Sequence, residues 1–126
     1  MNYHTPLKKA KGLGSARSGS GHFWKQRMTA IALIPLSFWM VAYTRLMINA
    51  PHAEIIDWLS TPFNTTMAIT WIIVTFWHAM LGLEVIIQDY VHTEWRKMSA
   101  IGIMRFSFIT LAIAAIVAIF KITSLG

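Results

Sequence analysis

The sequence predicts an all-α membrane protein with three transmembrane helices. Apolar residues make up 56% of the 126 residues and charged residues only 13%, a balance outside the usual range of soluble domains. Three apolar stretches, residues 28–48, 66–88 and 101–120, are each about 20 residues long, which is the length that a helix needs to cross a bilayer core. The chain therefore divides into a cytoplasmic basic arm with an interfacial segment, residues 1–27, and a three-helix anchor, residues 28–126.

Basic residues are concentrated near the N-terminus. Six of the eleven Lys and Arg residues precede the first span, whereas the first acidic residue is Glu54. Nine basic residues are predicted on the same side of the membrane as the N-terminus, and two, Arg45 and Lys121, on the opposite side. Because cytoplasmic segments are enriched in Lys and Arg, the spans are predicted to run up-down-up, from a cytoplasmic N-terminus to a periplasmic C-terminus. The net charge of +6 is therefore interpreted as a topology signal and not as a nucleic-acid-binding surface.

The segment before the first span is polar and rich in Gly and Ser. Residues 1–21 predict a flexible or surface-lying arm, and residues 22–27, HFWKQR, have the aromatic and basic side chains typical of the membrane surface. The bacterial inner membrane is the predicted location. A mitochondrial transit peptide is the alternative interpretation of such a leader, and it corresponds to the mitochondrial inner membrane.

The sequence predicts two short connections between the spans. Residues 49–62 predict an outer loop whose only charges are acidic, and residues 89–97 predict an inner loop of mixed charge. Pro35, inside the first span, lacks a backbone donor and is expected to bend that helix. Since three helices enclose little interior, a sizeable cofactor would have to be shared with another membrane subunit.

The chain contains no cysteine. This excludes disulfides, thiolate-held iron–sulfur clusters and a covalently attached c-type haem within the chain. A metal would have to be held by His, Met or carboxylate side chains, or by a partner.

His78, near the middle of the second span, is the first candidate functional residue. An ionisable side chain at that depth is costly unless it faces protein, a cofactor or water. A neutral imidazole is a good axial ligand for haem iron, while packing against a neighbouring helix and proton relay stay open as alternatives. The other four histidines lie outside the spans, so a low-spin haem would need its second ligand from a partner.

Asp89 and Tyr90, at the end of the second span, are the next candidates. His78 and Asp89 are eleven positions apart, which places them within about 20° of the same helix face and about 16 Å apart along the axis. Gly82, on that face, leaves space for a flat group. Quinone reduction consumes two protons, and a phenol can donate to a quinone carbonyl while a carboxylate relays protons. The alternative is the ordinary polar chemistry of a helix end at the membrane surface.

Glu84 lies on another face of the second span. It is expected to pair with Arg105 of the third span, with snorkelling and proton uptake as alternatives. A second hypothesis for the function follows from these groups: an accessory subunit of a proton-translocating or transport complex, in which His78 and Glu84 pass protons.

The element HAMLGLEVIIQDYV, in which ten residues separate His78 from Asp89 and Tyr90, resembles a known family. It is similar to the second helix of the small hydrophobic membrane-anchor subunit of succinate dehydrogenase, the succinate:quinone oxidoreductase of respiratory complex II. The approach to the first span, GLGSARSGSGHFWKQRMTAIALIPL, also resembles that family, particularly its bacterial members. The three spans and the short chain agree with the resemblance.

The resemblance implies an electron-transfer anchor without a flavin or succinate site of its own. It implies that His78 is one axial ligand of haem b, the other coming from a cytochrome b556-type membrane subunit. Tyr90 and Asp89 would form part of the ubiquinone-reduction site, near the iron–sulfur subunit that receives electrons from the flavoprotein subunit. Arg27 matches a basic residue near the haem propionates, and His22 is a second candidate for that contact.

Overall fold

Residues 16–125 are described by the computed structural model, and this part of the chain forms four α-helices and no strand. The helices are α1 (Ala16–Asn49), α2 (His52–Ser60), α3 (Pro62–Tyr90) and α4 (Glu94–Leu125). Three of them, α1, α3 and α4, are long and apolar enough to cross a membrane. The predicted all-α membrane class with three spans is confirmed. At 1.5 Å per residue the 29 residues of α3 reach about 44 Å, which exceeds a hydrocarbon core of about 30 Å.

The N-terminal boundary of α1 differs from the prediction. The helix begins at Ala16, so residues 16–21 of the arm predicted to be flexible or surface-lying are helical. The rest of that arm, residues 1–15, lies outside the described residues. Because each residue added to an existing helix gains a hydrogen bond without a new nucleation cost, a long apolar helix extends readily into a polar flank.

The prediction of an outer loop over residues 49–62 is wrong, because most of this stretch forms α2. Its prolines lie at helix ends: Pro51 precedes α2, and Pro62 is the first residue of α3. Thr61 between the two helices is extended, with φ −62° and ψ 138°, because a residue before proline avoids the helical region. Glu54 lies in the first turn of α2, where the helix dipole favours an acid.

The inner connection is shorter than the predicted loop over residues 89–97. Helix α3 continues to Tyr90 and α4 begins at Glu94, which leaves only residues 91–93 between them. An acidic residue such as Glu94 is favourable in the first turn of a helix. The charged residues of this stretch therefore flank a tight turn and do not form an extended loop.

The central helix of the structure is α3. Helix α1 packs along one side of it and α4 along the other, whereas no Cα atom of α1 lies within 8 Å of one of α4 in residues 16–125. Thr29 of α1 contacts His78 of α3, and Trp39 of α1 contacts Asn64 of α3, so these two helices run antiparallel. We call the end of the structure at residues 91–93 the inner end and the end at α2 the outer end. Which side of the membrane each end faces stays a prediction.

An aromatic cluster holds α1, α2 and α3 together at the outer end. The Trp39 ring stacks on Tyr43 and on Trp58 with centroid distances of 5.7 Å each, and Tyr43 and Trp58 are 5.3 Å apart. Trp39 Nε1 donates to Asn64 Oδ1 at 3.0 Å. Leu59 of α2, at 3% exposure, packs into the same cluster. The short helix α2 is thus a structural clamp on the outer ends of the spans.

An ion pair joins α3 to α4 in their inner halves. Arg105 Nη2 donates to Glu84 Oε1, and Glu84 is buried. The predicted Glu84–Arg105 pairing is therefore confirmed. One or two turns outward, Phe76 and Phe108 pack edge to face with ring centroids 5.9 Å apart. An unpaired carboxylate in an apolar span carries a large desolvation cost, and the ion pair with Arg105 offsets that cost for Glu84.

Most apolar side chains of the spans face outward. Only seven apolar residues in the described part of the chain are buried, and large side chains on all three spans are exposed. The expectation that three helices enclose little interior is met. These faces are available to lipid and to other membrane subunits.

Candidate functional site

His78 of α3 is hydrogen-bonded to Thr29 of α1. The Thr29 Oγ1 and His78 Nδ1 atoms are 2.9 Å apart, and Thr29 is only 4% exposed. The same hydroxyl oxygen lies 2.9 Å from the carbonyl oxygens of Lys25 and of Gln26 in its own helix. This contact fixes the imidazole at the α1–α3 interface in the inner half of the spans. The other ring nitrogen, Nε2, has no hydrogen-bond partner within the described residues.

A row of polar side chains on α1 leads from Thr29 towards the inner end. His22, Gln26 and Thr29 are spaced by four and three residues, which places them on one helix face. Gln26 Nε2 is 3.7 Å from the position that a Cβ on Gly82 of α3 would occupy. The face of α1 that carries this row is therefore directed at the face of α3 that carries His78 and Gly82.

Three buried polar atoms of α1 and α3 have no hydrogen-bond partner among residues 21–124. They are His22 Nε2 and Gln26 Oε1 on α1, and Thr75 Oγ1 on α3. Buried polar atoms in folded proteins are almost always hydrogen-bonded. The inner half of the α1–α3 interface is thus suited to polar groups that do not belong to this chain.

These residues fit a haem held between two subunits. His78 supplies one imidazole with an uncommitted nitrogen, and the buried, unpartnered His22 Nε2 suits a propionate oxygen. Gly82 presents backbone instead of a side chain on the same face, and a Cβ there would lie 3.7 Å from the Gln26 amide nitrogen. No group of three or more His, Asp or Glu residues in the described part could hold a metal ion.

Arg27 is not brought together with this group. Its guanidinium lies 5.6 Å from the centroid of the Phe23 ring, and its side chain is exposed. At 100° per residue, Arg27 is about 140° around α1 from His22. Its contact with a haem propionate stays a prediction.

Asp89 and Tyr90 occupy the last turn of α3 and are exposed, Tyr90 at 79%. Within the described residues neither side chain makes a hydrogen bond or ion pair. Asp89 lies on the His78 face of the helix, as the eleven-residue spacing predicts.

Glu84 and His78 do not form a proton path along α3. Glu84 is directed at α4, where Arg105 binds it, whereas His78 is directed at α1. The two side chains are about 120° apart around the helix. The second hypothesis, which needs both groups in one relay, has no support in this arrangement.

Sequence reasoning missed Thr29 and Gln26 as site residues. The available signal was the spacing of His22, Gln26 and Thr29, three polar residues on one face at the start of an apolar span. The position of His78 within its span identified α3 as the candidate helix. Only the antiparallel packing of α1 against α3 shows which residues of α1 lie beside His78.

Comparisons with known proteins agree with this architecture. The model of the succinate dehydrogenase/fumarate reductase transmembrane subunit family matches residues 1–120. The chain is similar to the succinate dehydrogenase hydrophobic membrane anchor subunit of Rickettsia bellii, with 38% identity over 94% of this chain and 95% of the relative. The corresponding subunit of Rickettsia conorii is 34% identical over the same shares of the two chains. That of Paracoccus denitrificans is 30% identical over 90% of this chain and 88% of the relative.

No solved structure matches the chain significantly. The assignment therefore depends on the family model and on relatives that align over nearly their full length, together with the three apolar helices. The chain belongs to the succinate dehydrogenase/fumarate reductase transmembrane subunit family, as a membrane anchor subunit of succinate dehydrogenase.

Proposed function

We propose that this anchor supplies one axial ligand of a haem b and part of the ubiquinone-reduction site of succinate dehydrogenase. The observation that carries the proposal is the state of His78: a half-buried imidazole held at Nδ1 by Thr29, with Nε2 uncommitted, on the helix face that continues to Asp89.

The second axial ligand comes from a cytochrome b556-type membrane subunit that packs against the α1–α3 face. Support comes from the small interior of this chain and from the buried, unpartnered His22 Nε2 and Gln26 Oε1 atoms on the same face. His22 is assigned to a propionate oxygen near the membrane surface. Arg27, whose guanidinium suits a carboxylate but is exposed on another side of α1, stays a candidate for the same contact. When bound, the haem supplies a one-electron store close to the quinone.

Quinone chemistry is assigned to the inner end of α3. The Tyr90 hydroxyl donates a hydrogen bond to a quinone carbonyl oxygen, and Asp89 orients the phenol or passes protons from water. Two electrons, delivered by the iron–sulfur subunit, and two protons convert ubiquinone to ubiquinol. The exposure of both residues is what a site completed by the iron–sulfur subunit requires. In this assignment succinate is oxidised by the flavoprotein subunit, and the whole complex is a succinate:quinone oxidoreductase.

The inner end faces the cytoplasm in this proposal, and the protein lies in a bacterial inner membrane. The basic residues on the side of the N-terminus support this orientation, and the Rickettsia and Paracoccus relatives support a bacterial source.

The test is His78→Ala in the purified four-subunit complex, followed by an optical spectrum of the reduced haem. Loss or displacement of the b-type band is expected, because alanine has no group that can bind the haem iron. His52→Ala on α2, an exposed histidine at the outer end, is the matched control and should leave the band unchanged. An unaltered band in His78→Ala would remove His78 from the haem site.

A further inference from the structure

We infer that Thr29 is a positioning residue for the haem: its hydroxyl accepts the Nδ1–H of His78 and thereby reserves Nε2 for the iron. The inference rests on the proposed haem ligation by His78. It concerns a residue of α1 that acts through the imidazole that it contacts.

The hydrogen-bond geometry at Thr29 sets the direction of the bond. Its hydroxyl has one proton but lies 2.9 Å from three possible partners, the Lys25 and Gln26 carbonyl oxygens and His78 Nδ1. Carbonyl oxygens can only accept, so the proton is shared between them. The oxygen is then left with lone pairs towards His78, and Nδ1 must carry a proton for that contact to be a hydrogen bond.

The tautomer of His78 follows from that direction. A neutral imidazole with its proton on Nδ1 has an unprotonated Nε2, which is the form that binds iron. The opposite tautomer would place two acceptor lone pairs against each other at 2.9 Å, unless Thr29 gave up both contacts with its own helix. The buried position of Thr29 excludes water as a ready substitute partner.

The hydroxyl also affects the ligand electronically. A histidine that donates its second N–H to an oxygen is a more basic ligand at the other nitrogen, and such outer partners change metal affinity by about 10–100-fold. A more basic imidazole favours ferric over ferrous iron. Removing the acceptor should therefore raise the reduction potential of the haem and weaken its retention.

The experiment compares Thr29→Val, Thr29→Ala and Thr29→Ser in the purified complex. Valine keeps the shape and removes the hydroxyl, alanine serves if valine prevents assembly, and serine keeps the acceptor. The measurements are the haem-to-protein ratio, the midpoint potential by optical redox titration and the electron paramagnetic resonance g-values of the oxidised haem. Thr44→Val is the matched control. Thr44 lies on the same helix, is exposed, and donates to the Met40 carbonyl oxygen one turn earlier.

Both hydroxyl-free variants should show a raised midpoint potential, displaced g-values and less haem, while Thr29→Ser and Thr44→Val resemble the unmodified complex. A Thr29→Val or Thr29→Ala complex with unchanged potential and g-values would overturn the inference and leave only a helix-packing role for the bond. Retention of the haem band in His78→Ala would instead overturn the ligation by His78, and the inference with it.

Discussion

Glu84 and Arg105 form an ion pair between α3 and α4, on a different side of α3 from the contact between His78 and Thr29. The Glu84 side chain is 10% exposed and the Arg105 side chain 51% exposed in the isolated chain. The central helix therefore has two polar attachments in its inner half, one to each neighbouring span. The ion pair is a structural contact, whereas the imidazole contact belongs to the candidate haem site.

Arg105→Met should destabilise the complex without changing the haem. The substitution leaves the buried Glu84 carboxylate without its partner, and we expect a cost of about 1–3 kcal/mol, less than for a fully enclosed pair because Arg105 is half exposed. Thermal inactivation of the detergent-solubilised complex measures this loss. The double variant Glu84→Leu/Arg105→Met should recover most of it, since no charge is then stranded. A double variant as unstable as the single one would contradict this explanation.

Periodicity and apolar length were sufficient to predict α3 as a membrane-spanning helix and to place His78 and Asp89 on one face of it. Their physical basis is local: about 20 apolar residues must cross the bilayer, and eleven residues return to nearly the same helix face. The Glu84–Arg105 pair could be predicted as well, because a carboxylate in an apolar span needs a cation and few were within reach.

The remaining features depended on packing between segments. The helical nature of α2 was missed because prolines are usual loop signals, although Pro51 here precedes α2 and Pro62 begins α3. Thr29 and Gln26 were missed because their importance comes from the depth at which α1 passes α3. A pattern within a single segment carries no information about that depth.

Substitutions at Gly82 should report on the space beside His78. A Cβ at this position would lie 3.7 Å from Gln26 Nε2, an ordinary contact with the end of a flexible side chain, so Gly82→Ala should assemble with normal haem content. Gly82→Phe should displace Gln26, fill the space of the proposed haem and lower the haem-to-protein ratio. Gly102→Phe is the control, because nothing lies within 4 Å of a Cβ on Gly102 in α4. Normal haem in Gly82→Phe would place the haem elsewhere.

Tyr90→Phe should lower quinone reductase activity about tenfold or more while preserving succinate oxidation with a soluble dye. The ring is kept and only the hydrogen-bond donor is lost, and a lost bond of about 1.4 kcal/mol in the transition state corresponds to tenfold in rate. Parallel assays with ubiquinone and with the dye measure the two steps separately. Tyr43→Phe in the outer aromatic cluster removes the same hydroxyl type far from the inner end, and it should affect neither assay. Equal loss in both assays of Tyr90→Phe would indicate failed assembly.

Asn64→Leu should weaken the outer end of the anchor and leave the haem spectrum intact. Asn64 Oδ1 accepts from Trp39 Nε1, and its Nδ2 donates to the Trp58 carbonyl oxygen at 2.9 Å, so leucine strands a buried indole N–H at a cost of about 1–3 kcal/mol. The fourteen residues from Asn64 to His78 correspond to about 21 Å along α3, too far for a direct effect on the imidazole. Thermal inactivation measures the loss, and the optical band is the internal control.

A double variant tests the hydrogen bond itself. Trp39→Phe combined with Asn64→Leu removes both partners of the Trp39–Asn64 bond, and its loss of stability should be less than the sum of the two single losses, because no N–H is then unpaired. An additive double variant would mean that the stacking of the rings, and not this hydrogen bond, holds the outer ends of α1 and α3 together.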